Sequence, residues 1–245
     1  MKRASVSHLL VTNPVDVGYL TGFLGGDSVL LIGPGKPVII SDSRYDEELE
    51  PQRPLARVVM RDGAMSAAIA AVIDPQAKDG KIDSVGVQTE HLTLAAERGL
   101  RDAFKNRRIP VSLLAPTAGL VGKLRAVKSK EELTLIRGAL GIQQDALLEA
   151  LGNLKPGMTE LGFRAELEYQ MMRRGSAEAG FGTIVAAGAN GSLPHYTPSA
   201  LVKIKRGSPL LIDWGATHQG YRGDMTRVVC LGRWPREIRE IYGIV

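Results

Sequence analysis

Residues 207–230 constrain the fold of this 245-residue chain most strongly, because they have the pattern of a β-hairpin. An apolar run over 210–212 leads into a polar tip that glycines flank, and a second apolar run over 228–230 follows. We place the centre of the turn at the bond between His218 and Gln219. The two runs are therefore predicted to pair as antiparallel strands, with successive side chains on alternate faces.

This hairpin carries two aspartates. With the turn centred as above, Asp213 is expected directly opposite Asp224, with both side chains on one face. Facing carboxylates repel one another unless they share a proton, pair with a cation or bind a metal ion. Two interpretations stay open from the residues alone. One is a divalent metal site, since hard cations prefer oxygen ligands. The other is a solvated face whose charge Arg222 or Arg227 balances.

Composition narrows the class of protein. The chain is long enough for two ordinary domains, and its apolar fraction of 44% is typical of a globular protein. The net charge is +5, but the basic residues are dispersed, so no nucleic-acid partner is expected. The single cysteine, Cys230, excludes an internal disulfide framework and favours a cytoplasmic location. We see no signal peptide and no apolar stretch of transmembrane length, so no membrane association is expected.

The first half of the chain alternates strand and helix patterns, which predicts an α/β layer fold. Strands are predicted over 29–32, 38–40, 57–60, 84–88 and 110–114, and helices over 64–73 and 92–104. The charged residues of this half form no compact group. His8 and His91 are isolated, and we expect neither to be catalytic.

The second half opens with helix signals. Ser129 followed by Glu132 is a capping box, and Thr159 caps a second helix. The buried face of the first helix is predicted to carry the apolar residues at helical spacing, namely Leu133, Ile136, Leu140, Leu147 and Leu151. We therefore predict one domain over residues 1–125 and another over 126–245.

Several segments together resemble the Xaa-Pro peptidases, the aminopeptidase P and prolidase relatives with the pita-bread fold. The hairpin contains Asp-Trp-Gly-Ala and then Gly-Tyr-Arg-Gly-Asp-Met-Thr-Arg, and upstream lies Ile184-Val-Ala-Ala-Gly-Ala-Asn-Gly-Ser-Leu-Pro-His195. Tyr19-Leu-Thr-Gly-Phe23 is similar to the family's N-terminal domain. The resemblance implies a creatinase-like α/β N-terminal domain over 1–125. It also implies the first part of an α+β pita-bread metallopeptidase domain over 126–245.

The resemblance also implies a function, the metal-dependent hydrolysis of an N-terminal X-Pro peptide bond. Two divalent ions would act as cofactors, with manganese expected and cobalt or zinc as alternatives. Asp213 would bind one ion and Asp224 would bridge both, while Thr226 would support these carboxylates from behind. His195 would contact the substrate and stabilise the tetrahedral intermediate. The resemblance further implies a peptide with proline at its second position as the partner and a homodimer as the assembly.

One departure from the family pattern changes the expectation for activity. The family's metal site uses one further histidine and two further glutamates, yet no histidine follows His218, and only Glu237 and Glu240 follow as glutamates. We therefore expect an incomplete catalytic domain and no peptidase activity from this chain alone. Two alternatives remain, a creatinase-like C–N hydrolase that needs no metal and a non-catalytic module that binds peptides or proteins. His218 itself is expected to be an exposed turn residue.

Overall fold

The computed structural model describes residues 5–244. The chain divides into two compact units, Met1–Val127 and Lys128–Val245. Over the described residues, neither unit has a helix with the length and apolar character needed to cross a lipid bilayer.

Unit 1 alternates strands and helices along most of its length. Its strands are β1 (His8–Val11), β2 (Val29–Ile32), β3 (Val38–Asp42), β4 (Arg57–Arg61), β5 (Val85–Gln88) and β6 (Leu114–Thr117). Its α-helices are α1 (Pro14–Thr21), α2 (Met65–Lys78), α3 (Leu94–Asn106) and α4 (Leu120–Ala126). Short 3-10 turns occupy Ser43–Tyr45, Glu50–Gln52 and Val111–Leu113.

The six strands of unit 1 form one mixed sheet in the order β4-β3-β2-β1-β5-β6. Strand β2 is antiparallel to both β1 and β3, whereas β4, β5 and β6 each pair in parallel with a neighbour. One face packs on α2 and α3 through Ile73 and Phe104, and the other packs on Val17 and Val121 of α1 and α4. Covered faces explain why the central strands are almost wholly apolar. The predicted α/β fold of this half is confirmed.

One predicted strand of unit 1 is wrong. The hairpin of β2 and β3 is present, and so are β4 and β5, but residues 110–114 do not form a strand. Instead, Val111–Leu113 makes a 3-10 turn, and pairing with β5 begins only at Leu114. Pro110, at the N-cap of this turn, and the 3-10 turn after it bring the chain to the sheet only at Leu114.

Unit 2 places helices over a small antiparallel sheet. Its helices are α5 (Lys130–Asn153), α6 (Glu160–Arg173) and α7 (Arg236–Tyr242), with a 3-10 turn over Gly188–Ser192. Its strands are β7 (Ile184–Ala187), β8 (Pro209–Trp214), β9 (Thr217–His218), β10 (Tyr221–Arg222) and β11 (Met225–Cys230). The order β11-β8-β7 forms one sheet, and β9 pairs with β10 in a separate two-stranded ribbon.

Helix α5 begins as predicted, but most of the apolar residues predicted to be buried are only half-buried. Ser129 Oγ accepts the Glu132 N–H at 3.2 Å, and Glu132 Oε2 accepts the Ser129 N–H at 2.7 Å, which completes the capping box. Of the five apolar residues predicted to be buried, only Leu147 is, and Leu133 is exposed. The buried face instead carries small residues and one amide, namely Ala139, Gln143, Ala146 and Ala150. Small side chains let the helix approach its neighbours closely, and apolar periodicity does not reveal this.

The hairpin forms, but its predicted register is wrong. The loop consists of Gln219 and Gly220, with φ of 48° and 80°. Two successive residues at positive φ are typical of a type I′ turn, where glycine is favoured because it has no Cβ. Asp213 consequently pairs with Thr226 and not with Asp224.

The error in register preserves the predicted face. Moving the turn centre by one residue moves every partner by two residues, and side chains alternate with a period of two. The side chains of Ile212 and Trp214 are fully buried, so Asp213 between them lies on the opposite face of β8. Asp224 is two residues before Thr226, so its side chain lies on the same face as that of Thr226. It immediately precedes Met225, the first residue of β11 that pairs with β8.

Glycines on either side of this ladder allow its arms to come close together. A Cβ at Gly215 would lie 2.0 Å from the Gly223 carbonyl oxygen and 2.9 Å from Phe181. We expect Gly215→Ala to lower the free energy of unfolding of unit 2 by about 2 kcal/mol or more, because the backbone must move. Urea unfolding followed by tryptophan fluorescence measures this, since both tryptophans lie in unit 2.

The matched control is Gly141→Ala within α5. A Cβ at Gly141 meets no atom within 4 Å, so alanine should raise the unfolding free energy by about 0.5–1 kcal/mol through helix propensity. Equal effects of the two substitutions would contradict the close approach at Gly215.

Candidate metal and substrate site

A cavity of about 450 Å³ in unit 2 brings the predicted site residues together. Asp213 and Asp224 line it, and so does His195 from the loop that precedes β8. The other lining residues are Arg164, Phe181, Gly182, Thr183, Ile184, Tyr196, Thr197 and Pro198. Unit 1 has a larger cavity of about 860 Å³, but that cavity is lined by aliphatic and basic residues without a carboxylate or an imidazole. We therefore assign the chemistry to the smaller cavity.

Asp213 is held by the pairing of β8 with β11. Thr226, directly across the ladder, donates its hydroxyl to Asp213 Oδ1 at 3.0 Å. On the opposite, buried face of the strand, the Trp214 indole N–H donates to the Gln143 main-chain carbonyl at 3.0 Å. This hydrogen bond holds β8 against helix α5. One rotamer of the carboxylate is thus favoured, and its other oxygen stays available to a ligand.

Asp224 is placed by the segment just before β11. Gly223 donates its N–H to the Ala216 carbonyl at 2.9 Å. A Cβ at Gly223 would lie 2.1 Å from Oε1 of the buried Gln143, and that same oxygen accepts the Ala216 N–H at 3.2 Å. The amide of one α5 residue therefore sets the path of both hairpin arms, and Asp224 follows from that path with an exposed side chain.

Arginines do not neutralise the two aspartates. Across residues 5–244, no ion pair within 4.0 Å reaches Asp213 or Asp224. Arg222 pairs with Glu178 at 3.4 Å, and Arg227 donates to the Thr226 carbonyl at 2.8 Å. The interpretation in which Arg222 or Arg227 balances the charge is therefore wrong for this geometry.

The donor set fits part of a divalent metal site. Two uncompensated carboxylates in one cavity supply the oxygen ligands that hard cations prefer. In the part of the chain that the structure describes, no group of three or more histidine, cysteine, aspartate or glutamate side chains could hold a metal ion. Asp213 and Asp224 could therefore supply only part of a ligand set.

His195 occupies an exposed loop with an unusual backbone. Its φ is 55°, in the left-handed region, and its side chain borders the same cavity as the two aspartates. Residues 192–195 are all exposed, so little apolar burial fixes the loop. The conformation of this loop therefore depends on polar contacts.

The polar anchor of this loop is Glu160, which the sequence analysis missed. Glu160 is fully buried at the start of α6, and its carboxylate accepts four hydrogen bonds. The donors are the Ala187 N–H at 2.7 Å, the Asn190 amide at 3.0 Å, the Tyr196 hydroxyl at 2.8 Å and the Ser199 N–H at 3.1 Å. In the sequence, a glutamate after a Thr159 cap indicates only a favourable helix start. No local signal identifies its four partners.

These contacts shift two acid–base equilibria. Burial favours the neutral acid of Glu160, but the hydrogen bonds from Ala187, Asn190, Tyr196 and Ser199 outweigh it and lower the pKa. The hydrogen bond to Glu160, together with burial, raises the pKa of Tyr196. The pair is therefore a charged carboxylate and a neutral phenol at neutral pH.

His218 is a further correction. The side chain of His218 is half-buried in β9, where the imidazole packs on helix α5. A Cβ at Gly138 would lie 2.7 Å from His218 Cδ2, so the two elements are in close contact. The prediction that His218 is an exposed turn residue is wrong, because the turn lies one residue further along, at Gln219 and Gly220.

The two compact units correspond to two family models, and the second model places the chain in the metallopeptidase class. Residues 1–127 match the family model for the Creatinase/Prolidase N-terminal domain, and residues 134–245 match the model for Metallopeptidase family M24. The chain belongs to this family of M24 metallopeptidases with a creatinase/prolidase N-terminal domain.

Known relatives show the extent of the likeness. The chain is 30% identical over 243 residues to the uncharacterized peptidase YqhT of Bacillus subtilis, covering 99% of this chain and 66% of that protein. A solved Xaa-Pro dipeptidase from Bacillus anthracis superposes with a TM-score of 0.89 at 30% identity, over 100% of this chain and 66% of its own. An X-Pro aminopeptidase from Thermotoga maritima gives 0.85 at 30% identity, over 100% and 68%. The chain thus spans about two thirds of the length of these relatives.

The lowered pKa of Glu160 predicts a pH dependence. A group with a depressed folded pKa stabilises the fold above its unfolded pKa of about 4.3, and this stabilisation is lost as pH falls through the folded value. At pH 7, Glu160→Gln should lower the unfolding free energy by about 2 kcal/mol or more, because buried donors lose their acceptor. The difference from the unmodified chain should shrink below pH 4 in urea titrations followed by tryptophan fluorescence. A difference that stays constant down to pH 3 would contradict a charged Glu160.

Proposed function

We propose that this protein is an Xaa-Pro peptidase, which hydrolyses the peptide bond that precedes a proline at the second position of its substrate. The observation that carries the proposal is one cavity that holds Asp213, Asp224 and His195, with neither aspartate in an ion pair to a residue within 5–244. The likeness to an Xaa-Pro dipeptidase of Bacillus anthracis and an X-Pro aminopeptidase of Thermotoga maritima supports it.

Each residue has a distinct proposed role. Asp213 and Asp224 would hold divalent metal, which when bound polarises the scissile carbonyl as a Lewis acid. Thr226 keeps Asp213 in one orientation through its 3.0 Å hydrogen bond, as supporting residues behind metal ligands commonly do. His195, at the border of the same cavity, would contact the substrate and donate a hydrogen bond to the oxygen of the tetrahedral intermediate.

The described ligands do not complete such a site. A catalytic zinc site keeps three protein ligands, whereas this cavity supplies two carboxylates. The proposed function therefore requires ligands beyond the residues described, as the sequence analysis expected. Manganese as the metal, a homodimer as the assembly and the cytoplasm as the location stay predictions.

Metal binding by the two aspartates is directly measurable. Titration of the 245-residue chain with Mn²⁺, followed by electron paramagnetic resonance of the free ion, should detect a site that Asp213→Asn and Asp224→Asn each weaken. We expect about tenfold or greater loss of affinity, or ~1.4 kcal/mol, for each lost ligand. The matched control is Asp145→Asn, an exposed aspartate of α5, which should change nothing. Equal Mn²⁺ affinity in all four proteins would contradict the proposed site.

Catalysis by the chain alone provides a second test. Incubation of the 245-residue chain with Mn²⁺ and an Xaa-Pro dipeptide should release no free proline, because two carboxylates are too few ligands. A version extended by the sequence that completes the ligand set should release proline, and its Asp224→Asn variant should not. Release of proline by the 245-residue chain would overturn the partial-site account. Binding of the dipeptide without metal, with no hydrolysis by the extended version, would favour the non-catalytic module.

A further inference from the structure

The loop between β7 and β8 depends on one carboxylate for its shape. Glu160 Oε1 accepts the Ala187 N–H, at the end of β7, and the Asn190 amide in the 3-10 turn. Glu160 Oε2 accepts the Tyr196 hydroxyl and the Ser199 N–H further along. The four donors span 13 residues, so a single side chain fixes both ends of the segment and two points inside it.

The donors also contact one another. The Asn190 amide donates to the Tyr196 hydroxyl oxygen at 2.8 Å, so Asn190 and Tyr196 share the carboxylate as a closed set. Tyr196 is the direct neighbour of His195, whose φ of 55° requires a defined backbone path. A fixed phenol at 196 therefore constrains where the imidazole at 195 lies.

Other contacts hold mainly the far end of this stretch, where the Leu161 N–H donates to the Ser199 carbonyl at 3.1 Å and Pro198 is buried. Its internal hydrogen bonds are local, from Leu193 N to the Asn190 carbonyl and from Ser192 Oγ to the Ala189 carbonyl. Leu193 is 53% exposed, so its side chain adds little burial. Residues 192–195 are all exposed, whereas the Glu160 carboxylate accepts hydrogen bonds from four points along residues 187–199.

The anchor itself is rigid. Glu160 donates its own N–H to the Val202 carbonyl at 3.1 Å, beyond the far end of the loop. Further along α6, Phe163 and Leu167 are fully buried in the core of unit 2. Motion of the carboxylate would therefore require motion of a packed helix.

We propose that Glu160 is a positioning residue for His195, and that its ionised carboxylate sets where the imidazole stands in the cavity with Asp213 and Asp224. The role of His195 in this statement rests on the proposed function. Both carboxylate oxygens are needed, because each accepts two of the four donors. An amide at this position keeps the size of the side chain but turns one of the two acceptors into a donor that faces donors.

The test compares Glu160→Gln with Glu166→Gln in the 245-residue chain. Glu166 lies on the same helix and accepts hydrogen bonds from Asn153 at 2.7 Å and Gln170 at 2.8 Å, both of which lie outside the loop. Two signals are recorded: amide hydrogen exchange over 188–199, and the imidazole carbon resonances of the four histidines, with His195 assigned through His195→Gln.

In Glu160→Gln, amide exchange over 188–199 should become about tenfold faster or more, because the loop opens without the rest of the unit. The His195 resonance should shift while those of the other histidines stay in place. Glu166→Gln should leave both signals unchanged. An unchanged loop and an unchanged His195 resonance in Glu160→Gln would overturn the proposal. Faster exchange spread evenly over unit 2 would also overturn it, since that pattern indicates general destabilisation.

Two further variants decide the matter if Glu160→Gln does not fold. Tyr196→Phe and Asn190→Ala each remove one donor and leave α6 intact, and each should loosen the same loop and shift His195 to a smaller degree. No change in either variant would contradict the proposal.

A separate measurement keeps this proposal distinct from the proposed function. Addition of the dipeptide Ala-Pro with Zn²⁺, which is diamagnetic, should shift the His195 resonance in the unmodified chain and fail to do so in Glu160→Gln. A loop that loosens as expected, in a chain whose His195 never responds to Ala-Pro, would support the positioning role and contradict the substrate role of His195.

Discussion

The burial of alternate side chains in strand β8 is the constraint on which the site depends. Leu210, Ile212 and Trp214 are each at most 1% exposed, and they turn one face of the strand into the core of unit 2. Asp213 lies between two of them and is therefore forced to the other face. Burying those apolar side chains is worth about 1.5–3 kcal/mol each, far more than the weak preference of an aspartate to avoid a strand. The core thus determines where the carboxylate points.

Two helices hold the two sides of the cavity through buried polar groups. Gln143 of helix α5 lies beside the hairpin arms. Its side-chain oxygen accepts the Ala216 N–H, and its main-chain carbonyl accepts the Trp214 indole N–H. Helix α6 sends Glu160 under the loop that carries His195. Burying a polar side chain is costly, and hydrogen bonds offset this cost for both oxygens of Glu160 but only in part for Gln143, whose Nε2 has no hydrogen-bond partner among the described residues. The site is a gap between elements whose positions these two side chains specify.

Sequence patterns predicted the classes of structure well and the fine pairing poorly. The α/β fold of unit 1, the capping box at Ser129 and the hairpin were all readable, because each rests on local periodicity or on a cap. The hairpin register was not readable from symmetry about the polar tip. It depends on Gln219 and Gly220 both adopting positive φ, and an X-Gly pair was the available signal.

The site was readable only in part. Asp213, Asp224 and His195 were singled out by charge pattern and resemblance, and the structure places all three on one cavity. Glu160 and Gln143 were missed, since each acts through partners at least 27 residues away in the chain. The exposed leucine of α5, Leu133, misled the assignment of its buried face for a similar reason. The spacing of large apolar residues indicates which side chains avoid water. It does not indicate which small side chains of a helix pack against a neighbouring element.

Anomalous diffraction from crystals soaked in Mn²⁺ tests the central claim most directly, namely that strand alternation brings two aspartates together to hold a cation. The account predicts a manganese peak in the unit 2 cavity, about 2–2.6 Å from carboxylate oxygens of both Asp213 and Asp224. A cavity without a peak, or a peak that only one of the two aspartates contacts, would contradict it.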